Sequence, residues 1–236
     1  MSGTYGIKIK MKTLAVCSGG LDCTSFLGKY DIKNMEVITF NYGQKAQKEI
    51  QSLRKICEIY NIPLKEIDIR FMSELWKGSQ LTDDTVKVES EYSPSIIVPL
   101  RNGVMLMIAM SYAYSIETKN VIYGSHLGDI TKFNHNGHTE PQYPDCTPAF
   151  ANALSHAGHK GSFICEEIVE FDSPAIQNMD KFDLIKFGHT WLKDNIFLTW
   201  SCYNNGENHC GKCVSCIERM NIFKEAEIED LTQYDC

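Results

Sequence analysis

The chain has 236 residues, 43% hydrophobic and 22% charged, with a net charge of −7. That length buries a full core without disulfides and suits one domain with an appendage. The acidic balance excludes general affinity for nucleic acid or anionic membrane, which takes clustered Lys and Arg. A small anion in a local pocket stays open. Residues 1–12 lack the apolar run of a signal peptide, and the longest apolar stretch, 104–113, is too short for a bilayer and is broken by Ser111. A soluble, cytoplasmic protein is the expectation. Ten cysteines then point to metal more than to disulfides, because four of them crowd between Cys202 and Cys216.

Residues 13–17, Thr-Leu-Ala-Val-Cys, read as a buried strand that runs into Ser18-Gly19-Gly20-Leu21-Asp22 and a helix through Lys29. Residues 35–41 read as a second strand. Residues 45–60 read as a helix, with Ile50, Leu53, Ile56, Cys57 and Tyr60 spaced by three and four. A third strand follows at 64–69. This alternation predicts an α/β fold, a three-layer sandwich with a mainly parallel sheet and helices on both faces. Residues 71–94 have weak periodicity and read as a mobile excursion placed to act as a lid. An apolar helix at 101–116 and a short strand at 120–123 come next. Residues 125–144 read as a polar loop, and Pro148 opens another helix. Strand character at 163–171, a helix at 181–193 and a terminal helix from about Cys216 complete the chain. The expected division is a main domain over 1–200 and a small C-terminal zinc knuckle with its helix over 201–236, packed on the same unit.

A strand ending in Ser-Gly-Gly-x-Asp before a helix has a physical use. Glycines let backbone N–H groups approach an anion, and the helix start adds free donors and positive charge. Ser18 offers a hydroxyl, and Asp22 can cap the helix or hold magnesium. No Gly-Lys-Ser/Thr follows, which excludes a Walker loop. An ordinary glycine turn is the competing reading.

Cys202, Cys210, Cys213 and Cys216 supply four thiolates, and two residues separate each of the last three. Gly206 and Gly211 allow the tight turns between them. Tetrahedral zinc in a closed, structural site is the first reading. An iron–sulfur cluster is the second, and His209 could compete for one position. Cys17, Cys23, Cys57, Cys146, Cys165 and Cys236 lack ligand spacing and read mostly as small core residues.

The glycine loop resembles that of ATP pyrophosphatases. Together with the cysteine cluster it resembles the 7-cyano-7-deazaguanine synthase family. Further matches run in order along the chain: Phe40-Asn-Tyr-Gly-Gln44, Val98-Pro99 with Arg101-Asn102, Tyr143-Pro-Asp-Cys146 and Thr199-Trp-Ser-Cys-Tyr203. The resemblance implies an adenine-nucleotide-hydrolase-like fold. It implies a carbon–nitrogen ligase that forms AMP and turns 7-carboxy-7-deazaguanine, ATP and ammonia into the nitrile through an amide, with structural zinc and with magnesium on the phosphates. ATP would be held by Cys17, Ser18, Gly19, Gly20, Leu21, Asp22, Cys23 and Thr24, with Tyr42 and Gln44. Asp22, Lys181 and Arg101 would act in catalysis. Arg101, Asn102, Tyr143, Asp145 and Trp200 would bind the deazapurine carboxylate. A surface role for Lys181, a turn role for Asp145 and a core role for Trp200 compete with these. A homodimer is also implied.

The chain departs from that family in places. Cys23 stands where Ser is usual, Ala46 where His is usual, and Leu100 where a small residue is usual. Residues 125–142 are longer and carry His126, His135 and His138, readable as proton-transfer groups, a second metal site or a hydrated loop. These changes leave open a paralogue that stops at the amide or joins the activated acid to another amine, including a protein, and also a non-catalytic nucleotide-binding scaffold.

Overall fold

The structure is a computed structural model and describes residues 12–89, 91, 94–135, 138–162 and 168–235. In chain order the first elements are β1 (Thr13–Val16), α1 (Leu21–Leu27), β2 (Met35–Asn41), α2 (Lys48–Tyr60), β3 (Leu64–Asp68), α3 (Arg101–Ser115) and β4 (Asn120–Ile122). Then come β5 (Lys132–His135), β6 (His138–Pro141), α4 (Pro148–Gly161), β7 (Glu170–Asp172), α5 (Lys181–Leu192) and α6 (Val214–Glu225).

Five strands form one sheet in the order β3-β2-β1-β4-β7, and every neighbouring pair is parallel. Both faces are covered, which is why β1 reads as an unbroken apolar run. Leu14 packs with Ile38 and Val121 against Leu106, Met110 and Ala113 of α3. Its neighbour Ala15 points the other way and packs with Val37 and Ile122 against Phe26 of α1, Leu53 of α2 and Leu184 of α5. Leu14 is fully buried, and truncating such a leucine to alanine costs roughly 2–5 kcal/mol. The expected three-layer α/β fold is borne out.

The chain leaves β1 toward β2 on one side, and after β3 it crosses back to place β4 on the other side. This reversal opens a crevice at the carboxyl ends of β1 and β4, where open α/β sheets bind ligands. The starts of α5 and α4 are capped by side chains. Asp180 accepts from the Asp183 N–H at 2.9 Å, and Thr147 accepts from the Phe150 N–H at 3.2 Å with Pro148 in the first turn.

Some expected elements need correction. The polar loop at 125–144 holds a short helical turn, Leu127–Ile130, and the antiparallel hairpin β5–β6. The Asn136-Gly137 pair in the sequence is a strong hairpin signal. The segment after β3 is pinned to the body. Trp76 is buried edge-on to Tyr42, the Lys45 N–H donates to the Leu81 carbonyl, and the Gln80 N–H donates to the Ser95 carbonyl. Helix α2 begins at Lys48 and α6 at Val214. Of the strand read at 163–171, the structure describes Glu170–Asp172, and residues 163–167 lie outside the described residues. Among the described residues, no helix is long and apolar enough to cross a membrane.

Candidate active site

A cavity of about 900 Å³ fills the crevice beyond β1 and β4. Its first wall is the glycine loop. Gly19 has φ +98°, and a Cβ there would come within 2.1 Å of the Glu49 carbonyl oxygen, so no other residue fits. Ser18 Oγ accepts from the Gly20 N–H at 3.1 Å and shapes the turn. The Gly19 carbonyl accepts from the Trp200 N–H at 3.0 Å, which ties the loop to the segment leading into the cysteine cluster.

Charges gather at the start of α1. Lys181 Nζ lies 3.5 Å from Asp22 Oδ2 and 3.6 Å from a Glu218 oxygen. Burial works against the Lys181 charge, but Asp22, then Glu218 and Asp129, outweigh it and raise its pKa. His126 Nε2 stands 3.9 Å from Asp22 and 3.8 Å from Asp129. Its Nδ1 accepts from the Gly128 N–H at 3.0 Å, so the neutral ring carries its proton on Nε2. Asp22 Oδ1 is buried and accepts no hydrogen bond among the described residues. An acceptor in that state calls for a cation or a donor from a ligand.

The opposite wall is built at the start of α3. Arg101 lies over the Tyr42 ring, 5.8 Å from its centroid, and reaches the Tyr42 hydroxyl at 3.5 Å. Burial opposes its charge, but Tyr42, Asp145 and other acidic neighbours outweigh it and raise its pKa. Asp145 accepts from the Asn102 backbone N–H at 3.0 Å and from Asn102 Nδ2 at 3.4 Å. It therefore caps α3 while lining the cavity. Tyr143 and Tyr203 complete this side, and burial raises the Tyr203 pKa.

The four cysteine sulfurs of Cys202, Cys210, Cys213 and Cys216 lie within 4.8 Å of one another, three of them buried. Bonds of 2.3 Å to a tetrahedral zinc ion would set sulfurs about 3.8 Å apart, and Cys210 and Cys216 stand at 3.9 Å. Backbone N–H groups of Asn204 and Cys210 point at Cys202 Sγ at 3.3 and 3.4 Å, and that of Cys213 at Cys210 Sγ at 3.4 Å. Such donors support thiolates. The cluster can hold a metal ion. His209 stays outside it: its Nε2 accepts from the Ser201 N–H at 3.1 Å, its ring stacks on Trp200 at 4.2 Å, and burial holds its pKa down at about 4.

Comparison with known proteins then decides the family. The model of Queuosine biosynthesis protein QueC matches residues 12–227. The chain belongs to the QueC family. A 7-cyano-7-deazaguanine synthase of Caldicellulosiruptor bescii is 37% identical over 95% of this chain and 98% of its own. Another, of Hahella chejuensis, is 36% identical over 96% of this chain and 94% of its own. An NH3-dependent NAD synthetase from Campylobacter jejuni aligns over 80% of this chain and 68% of its own at 12% identity, but its TM-score of 0.46 supports no inference. The expectation of an enzyme in this family, in place of a bare scaffold, is borne out.

Within this QueC-family chain the structure sorts the site residues read from the sequence. Cys17, Ser18, Gly20, Leu21, Asp22, Cys23, Tyr42, Gln44, Arg101, Asn102, Tyr143, Asp145, Lys181 and Trp200 all line the one cavity. Leu21 and Thr24 bury their side chains in the body, so a ligand would meet them through the backbone. The Gln44 amide braces its own loop, accepting from the Tyr42 N–H at 3.0 Å and donating to the Phe40 carbonyl at 3.3 Å. Trp200 is buried and donates from Nε1 to the Cys202 carbonyl at 2.8 Å, which makes it a core residue joining the knuckle to the loop. Cys17 and Cys23 face each other, sulfurs 2.9 Å apart. The hydrogen bond from Cys17 pulls the Cys23 thiol down to about 6 against the opposing effect of burial. His126 joins the Asp22 group, whereas the side chains of His135 and His138 lie outside the described residues. The sequence reading missed Glu49, Asp129, Tyr203 and Glu218, which also line the cavity. Of these, Asp129 carried a local signal, since it completes a capping box with His126, and Tyr203 stood in the Thr199–Tyr203 match without a role.

Proposed function

We propose that this enzyme activates 7-carboxy-7-deazaguanine with ATP, releasing pyrophosphate, and replaces the AMP with ammonia to give an amide. A second activation at the amide oxygen then yields 7-cyano-7-deazaguanine. One observation carries the reading: a single cavity has a phosphate-type wall, the glycine loop with Asp22 and Lys181, facing a wall that carries Arg101, Asn102 and Asp145. The names of the relatives support the same reaction.

The physical chemistry of the residues fits. A carboxylate is a poor electrophile until it is joined to AMP. Backbone N–H groups of the glycine loop would hold the departing pyrophosphate, and Lys181 would steady the charge that develops on it. Arg101, kept charged beside Tyr42 and Asp145, would orient the acid. Asp145 would accept from the guanine-like edge, exchanging its bonds to Asn102 for bonds to the ligand. Asp22 Oδ1, the buried orphan acceptor, is the atom suited to magnesium, which when bound would neutralise phosphate charge. The cysteine cluster suits zinc in a structural role.

The test is mass spectrometry of products formed from 7-carboxy-7-deazaguanine, ATP and ammonium. Nitrile with AMP and pyrophosphate is the expected result. Amide alone would mean that the enzyme stops after one activation. ADP and phosphate as the direct nucleotide products would sink the mechanism.

A further inference from the structure

We propose that the Glu49 carboxylate is the general base that takes a proton from ammonium and so frees the nitrogen lone pair to attack the activated acid. The proposal rests on the reaction given under Proposed function and adds a residue to it. Glu49 sits in the first turn of α2, and its Oε1 lies 3.6 Å from where a Cβ on Gly20 would stand. Its carboxylate thus borders the glycine loop, and it interacts across the cavity with Arg101. That places Glu49 between the glycine loop and Arg101, the two sides proposed above to take the phosphates and the acid.

The other acids of the cavity are placed for other tasks. Asp22 gives Oδ2 to Lys181 and keeps Oδ1 for a cation, Glu218 also faces Lys181, and Glu225 is exposed. Both oxygens of Asp145 accept from Asn102. Asp129 accepts from the His126 N–H at 3.0 Å. His126 uses its Nδ1 lone pair on Gly128 and has no second lone pair to offer. Cys23 Sγ is engaged by Cys17 and by the Ser18 N–H. Glu49 lines the same cavity and its side chain has no hydrogen-bond partner among the described residues.

Its surroundings suit the task. Burial, then the charge of Cys23, raises the Glu49 pKa, Arg101 opposes them, Asp22 adds to the rise, and the group settles at about 8. Tyr42 faces it as well. Ammonia is almost wholly ammonium at neutral pH, and an ordinary carboxylate is too weak a base to draw a proton from it. A carboxylate poised near the working pH is matched to the transfer. In the step, ammonium gives one proton to Glu49 and its freed lone pair forms the C–N bond. The acyl C–O bond to phosphate breaks and its electron pair leaves with AMP. The second nitrogen proton passes to water, and Glu49 then returns its own proton to solvent.

The experiment uses the full-length enzyme and Glu49→Gln, which keeps the shape and removes the basicity. Three rates are measured: acid-dependent exchange of pyrophosphate into ATP, which needs no nitrogen; amide and nitrile formation with ammonium; and hydroxamate formation with hydroxylamine, which is largely neutral at pH 7. Zinc content and melting temperature report the fold. Exchange and hydroxylamine turnover should stay within about threefold of wild type, while ammonium turnover at pH 7 should fall about 100-fold. The wild-type rise with pH through about 8 should be replaced by one that follows free ammonia alone. Equal loss in all three rates would place Glu49 in ATP binding and overturn the proposal, as would full ammonium turnover in the variant. No acid-dependent exchange in the wild type would instead refute the proposed function, and this step with it.

Discussion

The two walls of the cavity differ in how far they are satisfied before any ligand arrives. On the glycine-loop side, the proposed nucleotide wall, Asp22 keeps a buried oxygen with no partner among the described residues, and Lys181 holds its charge among three acids. On the opposite wall Asp145 gives both oxygens to Asn102, and Arg101 rests on Tyr42. A wall with an orphan polar atom gains the full benefit of pairing it. A wall already paired only exchanges one set of hydrogen bonds for another, and the net gain is small. On the proposed roles, the nucleotide wall is committed in advance, while the acid wall is a cap that a ligand must reopen. The knuckle adds a second asymmetry. It borders the opposite wall through the Tyr203 side chain, but it is hydrogen-bonded to the glycine loop, because the Trp200 N–H donates to the Gly19 carbonyl while its indole N–H donates to the Cys202 carbonyl.

The largest effect should come from the knuckle. Metal-binding energy at a structural zinc site is folding energy, apparent values being about 10–16 kcal/mol in small zinc peptides. Cys213→Ser should lose most of its zinc by elemental analysis and unfold many degrees earlier. In the folded remainder, affinity for a nonhydrolysable ATP analogue should fall more than affinity for the acid. Equal losses would break the asymmetry, and iron with sulfide in protein purified without air would replace zinc by a cluster. Next in size is Asp22→Asn, which removes the charge facing Lys181 and the orphan acceptor together. Acid-dependent pyrophosphate exchange should drop about 100-fold or more, with zinc content unchanged. Exchange near the wild-type rate would show that Asp22 is only a structural partner of Lys181.

What was legible in the sequence follows the same division. The complete Ser18-Gly19-Gly20-Leu21-Asp22 after an apolar strand points to the proposed nucleotide wall, where a Gly-Gly pair alone would read as an ordinary turn. The cysteine spacing announces the knuckle, since four thiols so close have few neutral uses. The acid wall depends on Asn102 meeting Asp145 across 43 positions of chain, a contact no local pattern reveals. Glu49 was invisible because glutamate in a first turn is ordinary on dipole grounds. Strands β5 and β6 are polar apart from Phe133 and Pro141, so they offer little apolar alternation to read.

Asp145→Ala should have a smaller, two-part effect. Losing a charge-assisted bond to a buried base edge costs roughly 1.5–3 kcal/mol, a weakening of acid binding by at least about tenfold. Losing the cap on α3 costs about 1 kcal/mol of stability as well. Calorimetry with the acid and with the ATP analogue separates the walls. A tenfold loss for the acid with the analogue barely changed keeps the comparison. No loss for the acid would leave Asp145 as a helix cap alone.

The smallest effect sharpens the acid wall most finely. Leu100 precedes Arg101 and holds φ at 52° and ψ at 24°, a left-handed conformation. A side chain there costs about 1–2 kcal/mol, where glycine costs almost nothing. A small residue suits that backbone better, so the departure noted in the sequence carries a cost. Leu100 is 64% exposed, so it recovers little of the cost by burial within this chain. Its side chain instead edges a shallow apolar groove with Val104, Met107 and Phe150. Leu100→Gly relieves the strain but frees the unfolded chain, which takes back about 0.5–1 kcal/mol. The expected net gain is about 0.5–1 kcal/mol in urea denaturation, with Arg101 and acid affinity held within about threefold. A loss of stability that deepens as the protein is diluted would mean that the Leu100 side chain packs against a second copy. In that case the strain is offset at an interface, and the acid wall is steadied from outside the chain.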